Sequence, residues 1–250
     1  MFSRMVAGAV LCAVTLCVSS VQADDRATKI LNAVDDLYRA NASHAVISMS
    51  VKTKHYERTL EMEAWSQGKE NSLIKILSPR KEKGTATLKA GNAIYTYLPK
   101  TDRTIRLSSG MMLGSWMGSH LTNDDLVKES RLAEDYTAAL TFEGPREGRA
   151  VIELTLVPRS DAAVTWGKIV TTVEADTYVP IRTVYYDDDG VAARTMRFTE
   201  VREMGGRRVP SVLEMVPADK PGEFTRLTYK ELELGIELPA STFSLGRLKR

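Results

Sequence analysis

The chain has 250 residues, with 34 basic and 32 acidic side chains and only two cysteines. This near-balance of charge excludes the strongly basic footprint of a typical nucleic-acid-binding protein. Because Cys12 and Cys17 both lie near the N-terminus, the rest of the chain has no disulfide framework, no cysteine nucleophile and no cysteine ligand for a metal.

The N-terminus has the layout of a secretory signal peptide. Arg4 is followed by an apolar or small stretch over residues 5–18, and then by small residues up to Ala23. The apolar stretch is too short for a stable membrane anchor. We therefore expect residues 1–23 to direct export to the periplasm and to be cleaved after Ala23, with an uncleaved transmembrane helix as the alternative. Removal of Arg4 leaves 33 basic residues against 32 acidic residues, one basic residue fewer than in the full chain.

Residues 24–41 predict an amphipathic helix. Its apolar residues recur at helical spacing, with charged residues on the other side. The apolar stripe consists of Ile30, Leu31, Val34, Leu37 and Tyr38. A helix of this kind needs an apolar surface to pack against.

From residue 46 onward the hydrophobic period changes to two, which indicates β-strands. Strand follows strand through short turns such as Asp188-Asp189-Gly190, so we predict an antiparallel sheet. A long sheet of about eleven strands has to curl and cover one face. The fold class is therefore mainly β with few helices: a half-open antiparallel β-barrel closed by a helical lid, in a single domain over residues 24–250. The strand patterns cover residues 46–51, 59–65, 73–77, 85–89, 94–98, 104–107, 136–142, 150–157, 168–175, 181–186, 192–201, 209–216 and 224–234.

A glycine- and methionine-rich segment over residues 108–121 interrupts the strands. Methionine side chains adapt to varied apolar partners, and the glycines permit either movement or close packing. We expect a mobile lid over an apolar cavity, while an irregular plug of the core fits the pattern equally well. The lid candidates are Met111, Met112, Leu113, Trp116, Met117 and Leu121. Thr122, followed by Asp125 three residues later, predicts the cap of a short helix.

The inward faces of the strands are candidates for the wall of a ligand cavity, because a wide barrel encloses more volume than its own side chains fill. Alternation alone does not separate a cavity from a dry core. A shift of one residue would also exchange the two faces of a strand. The candidate wall residues are Ile47, Met49, Leu60, Met62, Tyr95, Tyr97, Ile152, Leu154, Leu156, Met196, Phe198, Leu227 and Tyr229.

The sequence has no catalytic or metal-binding motif. The three histidines, His44, His55 and His120, are not arranged as His-x-x-x-His or His-Glu-x-x-His, and there is no Gly-x-Ser-x-Gly nucleophile elbow. The contiguous acids of residues 187–189 fit a solvated hairpin turn better than a calcium loop, in which the acids alternate. We expect no catalytic residue, no metal and no cofactor.

Five segments are distinctive in their combination and order. They are residues 79–86 (PRKEKGTA), 94–103 (IYTYLPKTDR), 117–126 (MGSHLTNDDL), 173–180 (VEADTYVP) and Phe243. Following a signal peptide, they make the chain resemble the LolA-like outer-membrane lipoprotein-sorting proteins over residues 24–250. The resemblance implies a half-open β-barrel with helices closing its mouth and a concave face that binds acyl chains.

The resemblance also implies a function and partners. The protein would carry lipid or acylated protein cargo from inner-membrane export machinery, including a transporter, to the outer membrane, with transient membrane contact. We expect a monomer that binds no nucleic acid. Two positions depart from the family pattern: His120 stands in place of aspartate, and Lys69 is the only cation near the position after Trp65 where the carriers hold their lid with arginine.

Two other functions are weighed against the carrier. One is a non-transferring interaction module of an envelope transporter, whose exposed edge strands pair with a partner. The other is an envelope hydrolase, which is disfavoured because the required nucleophile and acid–base arrangements are missing from the sequence.

Overall fold

The computed structural model describes residues 24–128, 132–162 and 164–249. The predicted signal peptide over residues 1–23, with both cysteines, lies outside these residues. The helices are α1 Asp25–Asp36, α2 Asp125–Lys128, α3 Leu132–Asp135 and α4 Leu245–Leu248. The strands are β1 Ala42–Lys52, β2 Glu57–Gln67, β3 Asn71–Ser78, β4 Ala86–Ala90, β5 Ala93–Leu98, β6 Arg103–Arg106, β7 Tyr136–Arg146, β8 Arg149–Pro158, β9 Lys168–Glu174, β10 Pro180–Tyr186, β11 Ala192–Met204, β12 Arg207–Pro217 and β13 Phe224–Leu234.

All of these strands form one antiparallel sheet of 13 strands, in the order β6-β5-β4-β3-β2-β1-β13-β12-β11-β10-β9-β8-β7. Neighbours are consecutive in sequence except at the pairing of the first strand with the last. The two edges, β6 and β7, are joined by residues 107–135. The half-open antiparallel barrel is confirmed. The thirteen strands match the thirteen strand patterns of the sequence one for one, so the expected total of about eleven was too low.

Helix α1 begins at a capped N-terminus. The carboxylate of Asp24 accepts hydrogen bonds from the backbone N–H groups of Arg26 (2.8 Å) and Ala27 (3.4 Å). The apolar stripe of α1 packs against β7 and α3. The helix ends at Asp36, five residues before the predicted end, and Ala40 has a left-handed φ of 46° that no α-helix accommodates.

The sheet buries both of its faces, but unequally. The concave face carries the main core together with α1. On the convex face, β3 and β4 contribute a small apolar cluster around Leu73 and Leu88. Phe243 and Leu248 of the C-terminal tail cover this cluster. Among the described helices, none has both the length and the apolar character needed to cross a membrane.

Candidate functional site

The concave face of the sheet encloses a cavity of about 230 Å³. Its lining comes from β1–β3 and β8–β13, from α1, and from the chain that joins the two edge strands. The sheet therefore curls far enough for strands from both halves of the chain to face the same space. Most of the lining is apolar, which suits an apolar ligand.

The structure places the predicted wall residues in three groups. Those that line the cavity are Ile47, Met62, Leu156, Met196, Phe198, Leu227 and Tyr229. Those that are fully buried in the same core without lining the cavity are Met49, Leu60, Ile152 and Leu154. The remaining two, Tyr95 and Tyr97, lie on the convex face with the C-terminal tail.

The orientation of β5 explains the position of these two tyrosines. Directly paired residues of an antiparallel sheet share a face, and Tyr95 pairs with Leu88 of the convex surface. The inward positions are therefore Ile94 and Thr96. The run Ile94-Tyr95-Thr96-Tyr97 is largely apolar in both phases, so its period of two could not decide which face is buried.

Residues 115–122, which we name the plug, form a small hairpin inside the barrel. Ser115 bridges Thr122, and the backbone N–H of Trp116 donates to the carbonyl of Leu121 at 2.8 Å. The side chains of Trp116 and Leu121 are 4% and 6% exposed and line the cavity. The indole N–H of Trp116 donates to the hydroxyl of Thr87 at 3.2 Å.

The other four lid candidates do not enter the cavity. Met111 and Leu113 are 45% and 63% exposed, and Met112 and Met117 are half-buried. The helix cap after the plug forms as predicted. The backbone N–H of Thr122 donates to the Asp125 carboxylate at 2.7 Å, and the N–H of Asp125 donates to the Thr122 hydroxyl at 3.2 Å.

Arg194 on β11 holds the C-terminal side of the plug. Its guanidinium donates two hydrogen bonds to the Asp125 carboxylate, at 2.8 and 2.5 Å, and a longer one to the carbonyl of His120 at 3.4 Å. The guanidinium also lies over the rings of Trp166 and Tyr185, at 4.4 and 4.5 Å from their centroids. A buried, bidentate and stacked arginine fixes both the position and the orientation of its partner.

The tip of the plug is held from the opposite side of the barrel. Arg58 on β2 donates to the carbonyl of Met117, and the hydroxyl of Tyr56 donates to the carbonyl of Gly118. Lys69, the cation expected from the sequence to steady the lid, instead donates to the side chain of Asn32 on α1 at 3.4 Å. The arginines that contact the plug therefore lie at other positions than the one after Trp65 that the resemblance implied.

Sequence reasoning missed Arg58 and Arg194, although a signal was present. Arg58 lies two positions before Leu60, and Arg194 lies two positions before Met196. Because both apolar residues face inward, each arginine side chain also points inward. A charged residue in phase with the buried face of a strand is costly unless it has a partner. That pattern alone could have marked both arginines as residues with a specific inward contact.

His120 joins the plug to β13 through a chain of hydrogen bonds. Its ring nitrogens contact the Thr225 hydroxyl and the Glu223 carboxylate, both at 2.9 Å, and its backbone N–H donates to the same hydroxyl at 2.9 Å. The hydrogen bond with His120 holds the pKa of Glu223 below its ordinary value. Thr225 is 1% exposed and does not line the cavity, so this threonine–histidine–glutamate chain fastens the plug.

Metal binding has no counterpart in this site. In the part of the chain that the structure describes, no group of three or more His, Cys, Asp or Glu side chains is placed to hold a metal ion. The acidic turn over residues 187–190 instead closes the hairpin between β10 and β11, where the Asp187 carboxylate accepts from the backbone N–H of Val191 at 2.8 Å.

Comparison with known proteins supports the fold. A family model described as "Uncharacterized protein" matches residues 68–250. A DUF1329 family protein from Desulfovibrio piger has a TM-score of 0.80 and 21% identity, covering 89% of this chain and 98% of that one. An outer membrane lipoprotein-sorting protein domain from Vibrio parahaemolyticus has a TM-score of 0.78 and 24% identity, covering 90% and 99%.

A LolA superfamily protein from Nitrosomonas europaea has a TM-score of 0.74 and 24% identity, covering 88% of this chain and 98% of that one. At these identities the structural likeness establishes a LolA-like fold and not a shared activity. No curated protein matches the chain.

Proposed function

We propose that this chain is a periplasmic carrier. It belongs to the family whose model, described as "Uncharacterized protein", matches residues 68–250, and it has a LolA-like fold. It would bind the acyl chains of a lipid or lipoprotein in the barrel cavity and pass them from inner-membrane export machinery towards the outer membrane. The observation that carries the proposal is an apolar cavity lined in part by a separately anchored plug.

The size of the cavity supports a plug that moves. A volume of about 230 Å³ is below the roughly 300–1,000 Å³ of ordinary ligand pockets. Trp116 and Leu121 fill the adjoining space, so a full acyl chain fits only after they leave. Each buried methylene contributes about 0.8 kcal/mol, and the exposure of the two plug side chains offsets part of that gain. The resulting moderate affinity suits a protein that must release its ligand.

The contacts of the plug favour this exchange. Beside the apolar packing of Trp116 and Leu121, polar contacts with Arg58, Arg194 and the Thr225–His120–Glu223 chain hold its tip and sides. Water can replace hydrogen bonds of this kind when the hairpin withdraws. An irregular piece of permanent core would be expected to depend on apolar packing alone.

Location, partners and the lack of catalysis belong to the same proposal. The pattern of residues 1–23 supports export, and the likeness to the lipoprotein-sorting domain from Vibrio parahaemolyticus supports a lipoprotein as cargo. The buried position of Thr225 supports a carrier rather than an enzyme. The protein would act as a monomer with transient membrane contact.

The first experiment fills the cavity. Ala64→Phe adds a ring at a lining position and should abolish uptake of a fluorescent fatty acid. Ala192→Phe adds the same ring at an exposed position of β11 and should leave uptake unchanged. Normal uptake by a folded Ala64→Phe variant would count against the cavity as the binding site.

The second experiment locks the plug. Because residues 24–250 contain no cysteine, His120→Cys combined with Thr225→Cys provides a unique pair at positions whose side chains already touch. Oxidation, checked by loss of free thiols, should block uptake, and a reductant should restore it. Equal uptake by the oxidised and reduced forms would show that the plug does not move on binding.

A further inference from the structure

The cavity has one chemically distinct end, next to the C-terminal half of α1. There, four inward-facing polar side chains stand side by side on adjacent strands. The register pairs Ser43 with Ser66, Ser66 with Ser72, and Ser72 with Lys89. The next inward row towards the centre, which includes Ala45, is already largely apolar.

The hydroxyls of this polar row can donate to a ligand. Ser43 and Ser66 are hydrogen bonded to each other at 2.7 Å, and both line the cavity, as does Ser72. A hydroxyl has one proton and two lone pairs. The bond within the pair uses one proton, so the proton of the accepting serine can turn towards a bound group.

The charged groups around the polar row are mostly cationic. Asp35 on α1 and Arg39 in the turn after it line the cavity. Lys89, a fully buried lysine, donates from its ammonium to the carbonyl of Lys69. The ammonium of Lys69 in turn reaches Asn32 of α1. Arg39 and Asp35 therefore line this end of the cavity, and two further cations, Lys69 and Lys89, lie next to the serine row. The nearby acids Asp36 and Glu70 are solvent-exposed.

A second polar pair on the opposite wall differs from this row. The hydroxyls of Thr171 and Thr183 are hydrogen bonded to each other at 2.9 Å. Asp125 is the charged lining residue on that side. Its carboxylate already accepts hydrogen bonds from both terminal guanidinium nitrogens of Arg194. Excess positive charge therefore accompanies the serine row and not the threonine pair.

We infer that the polar row is a headgroup subsite, which gives the cavity a preference for an anionic amphiphile: a long chain ending in a carboxylate or a phosphate. This inference rests on the proposed function and names the class of ligand. The acyl chain would lie among the apolar rows, and the anion would accept hydrogen bonds from the serines and face Arg39, with Lys89 adding positive charge from beside Ser72. Burying a charge is favourable only with partners of this kind.

The test compares ligands that differ only in their headgroup. Hexadecanoic acid and hexadecan-1-ol would displace a fluorescent probe from the protein at about pH 8, where the carboxyl group is ionised. The acid should bind about tenfold or more tightly than the alcohol, as expected for hydrogen bonds to a charged group. Lysophosphatidic acid against a monoacylglycerol of equal chain length repeats the comparison for phosphate, and the pair with the larger ratio identifies the anion.

Three variants locate the preference. Arg39→Met and Lys89→Met, which keep an apolar stem, should reduce the acid-to-alcohol ratio towards one. Lys83→Met removes an equal charge from an exposed turn and should keep the full ratio. Lys89 is buried, so its variant could fail to fold. In that case the test rests on Arg39→Met, at a half-buried position, and on the double variant Ser43→Ala with Ser66→Ala.

The outcomes separate the two proposals. Equal binding of acid and alcohol by the unmodified protein would overturn the headgroup subsite and leave the carrier intact. A preference that survives both Arg39→Met and the double serine variant would also overturn the subsite. Failure of all four amphiphiles to bind would overturn the carrier, and the subsite with it.

Discussion

Replacing Trp116 by alanine separates a mobile plug from a permanent piece of core. The indole is 4% exposed and donates to the Thr87 hydroxyl. A buried tryptophan covers about 150–250 Å², and truncation of one to alanine costs about 3–5 kcal/mol. For a domain of this size each kcal/mol lowers Tm by about 2–4 °C, so we expect Trp116→Ala to lower Tm by about 6–20 °C.

The same substitution should improve ligand binding. The vacated space adjoins the existing cavity, so an acyl chain can bind without first displacing an indole. We expect a fatty-acid probe to bind Trp116→Ala more tightly, and a saturating concentration to restore part of the lost Tm. A ligand present at 100 times its Kd stabilises a protein by about 2.7 kcal/mol. Thermal denaturation with and without ligand, together with a probe titration, measures both effects.

Leu88→Ala is the matched control. Leu88 is 1% exposed but lies in the convex cluster, away from the cavity. Its truncation should cost about 2–5 kcal/mol without changing probe affinity. The reasoning is refuted if Trp116→Ala loses stability as Leu88→Ala does and gains neither affinity nor ligand-induced stabilisation.

Three further predictions concern the groups that fasten the plug and the tail. Arg194→Met leaves the Asp125 carboxylate without its bidentate partner, so it should cost about 3–5 kcal/mol and speed amide exchange over the plug; unchanged exchange would exclude Arg194 as an anchor. The hydrogen bond with His120 lowers the pKa of Glu223. The ionised carboxylate therefore stabilises the folded protein above the ordinary pKa of about 4.3, and this stabilisation is lost as the pH falls through the lower pKa of the folded state. The Tm difference between the unmodified protein and Glu223→Gln should therefore persist above about pH 5 and shrink towards pH 3, whereas a difference that grows on acidification would contradict this. Leu248→Ala should cost about 2–5 kcal/mol with unchanged probe affinity, and a loss of binding would link the tail to the cavity.

The fold follows from short-range patterns in the sequence. Alternation and turn residues are local, and each segment predicted as a strand is a strand of the sheet. The capping of α2 is also local, since Thr122 and Asp125 are three residues apart, and it forms as expected. Helix α1 ends early because the backbone turns before Asn41, and continued hydrophobic spacing through Tyr38 could not reveal this.

The anchoring of the plug could not be predicted in the same way. Arg58 meets Met117 across 59 residues and Arg194 meets Asp125 across 69 residues. These contacts join residues far apart in the sequence, so no local pattern predicts them. The face of β5 was undetermined for a different reason: Tyr95 and Tyr97 are as apolar as their inward neighbours, and the C-terminal tail that covers them lies far along the chain.

The most direct test of the carrier is native mass spectrometry of the full-length gene product, recovered without detergent from the periplasm of the cells that express it. Lipid extraction of the same sample would identify any bound species. The proposal predicts a stoichiometric amphiphile that carries at least one acyl chain. A ligand-free protein that also takes up no fluorescent fatty acid or acylated peptide would contradict it, and would favour an interaction module whose barrel remains permanently plugged.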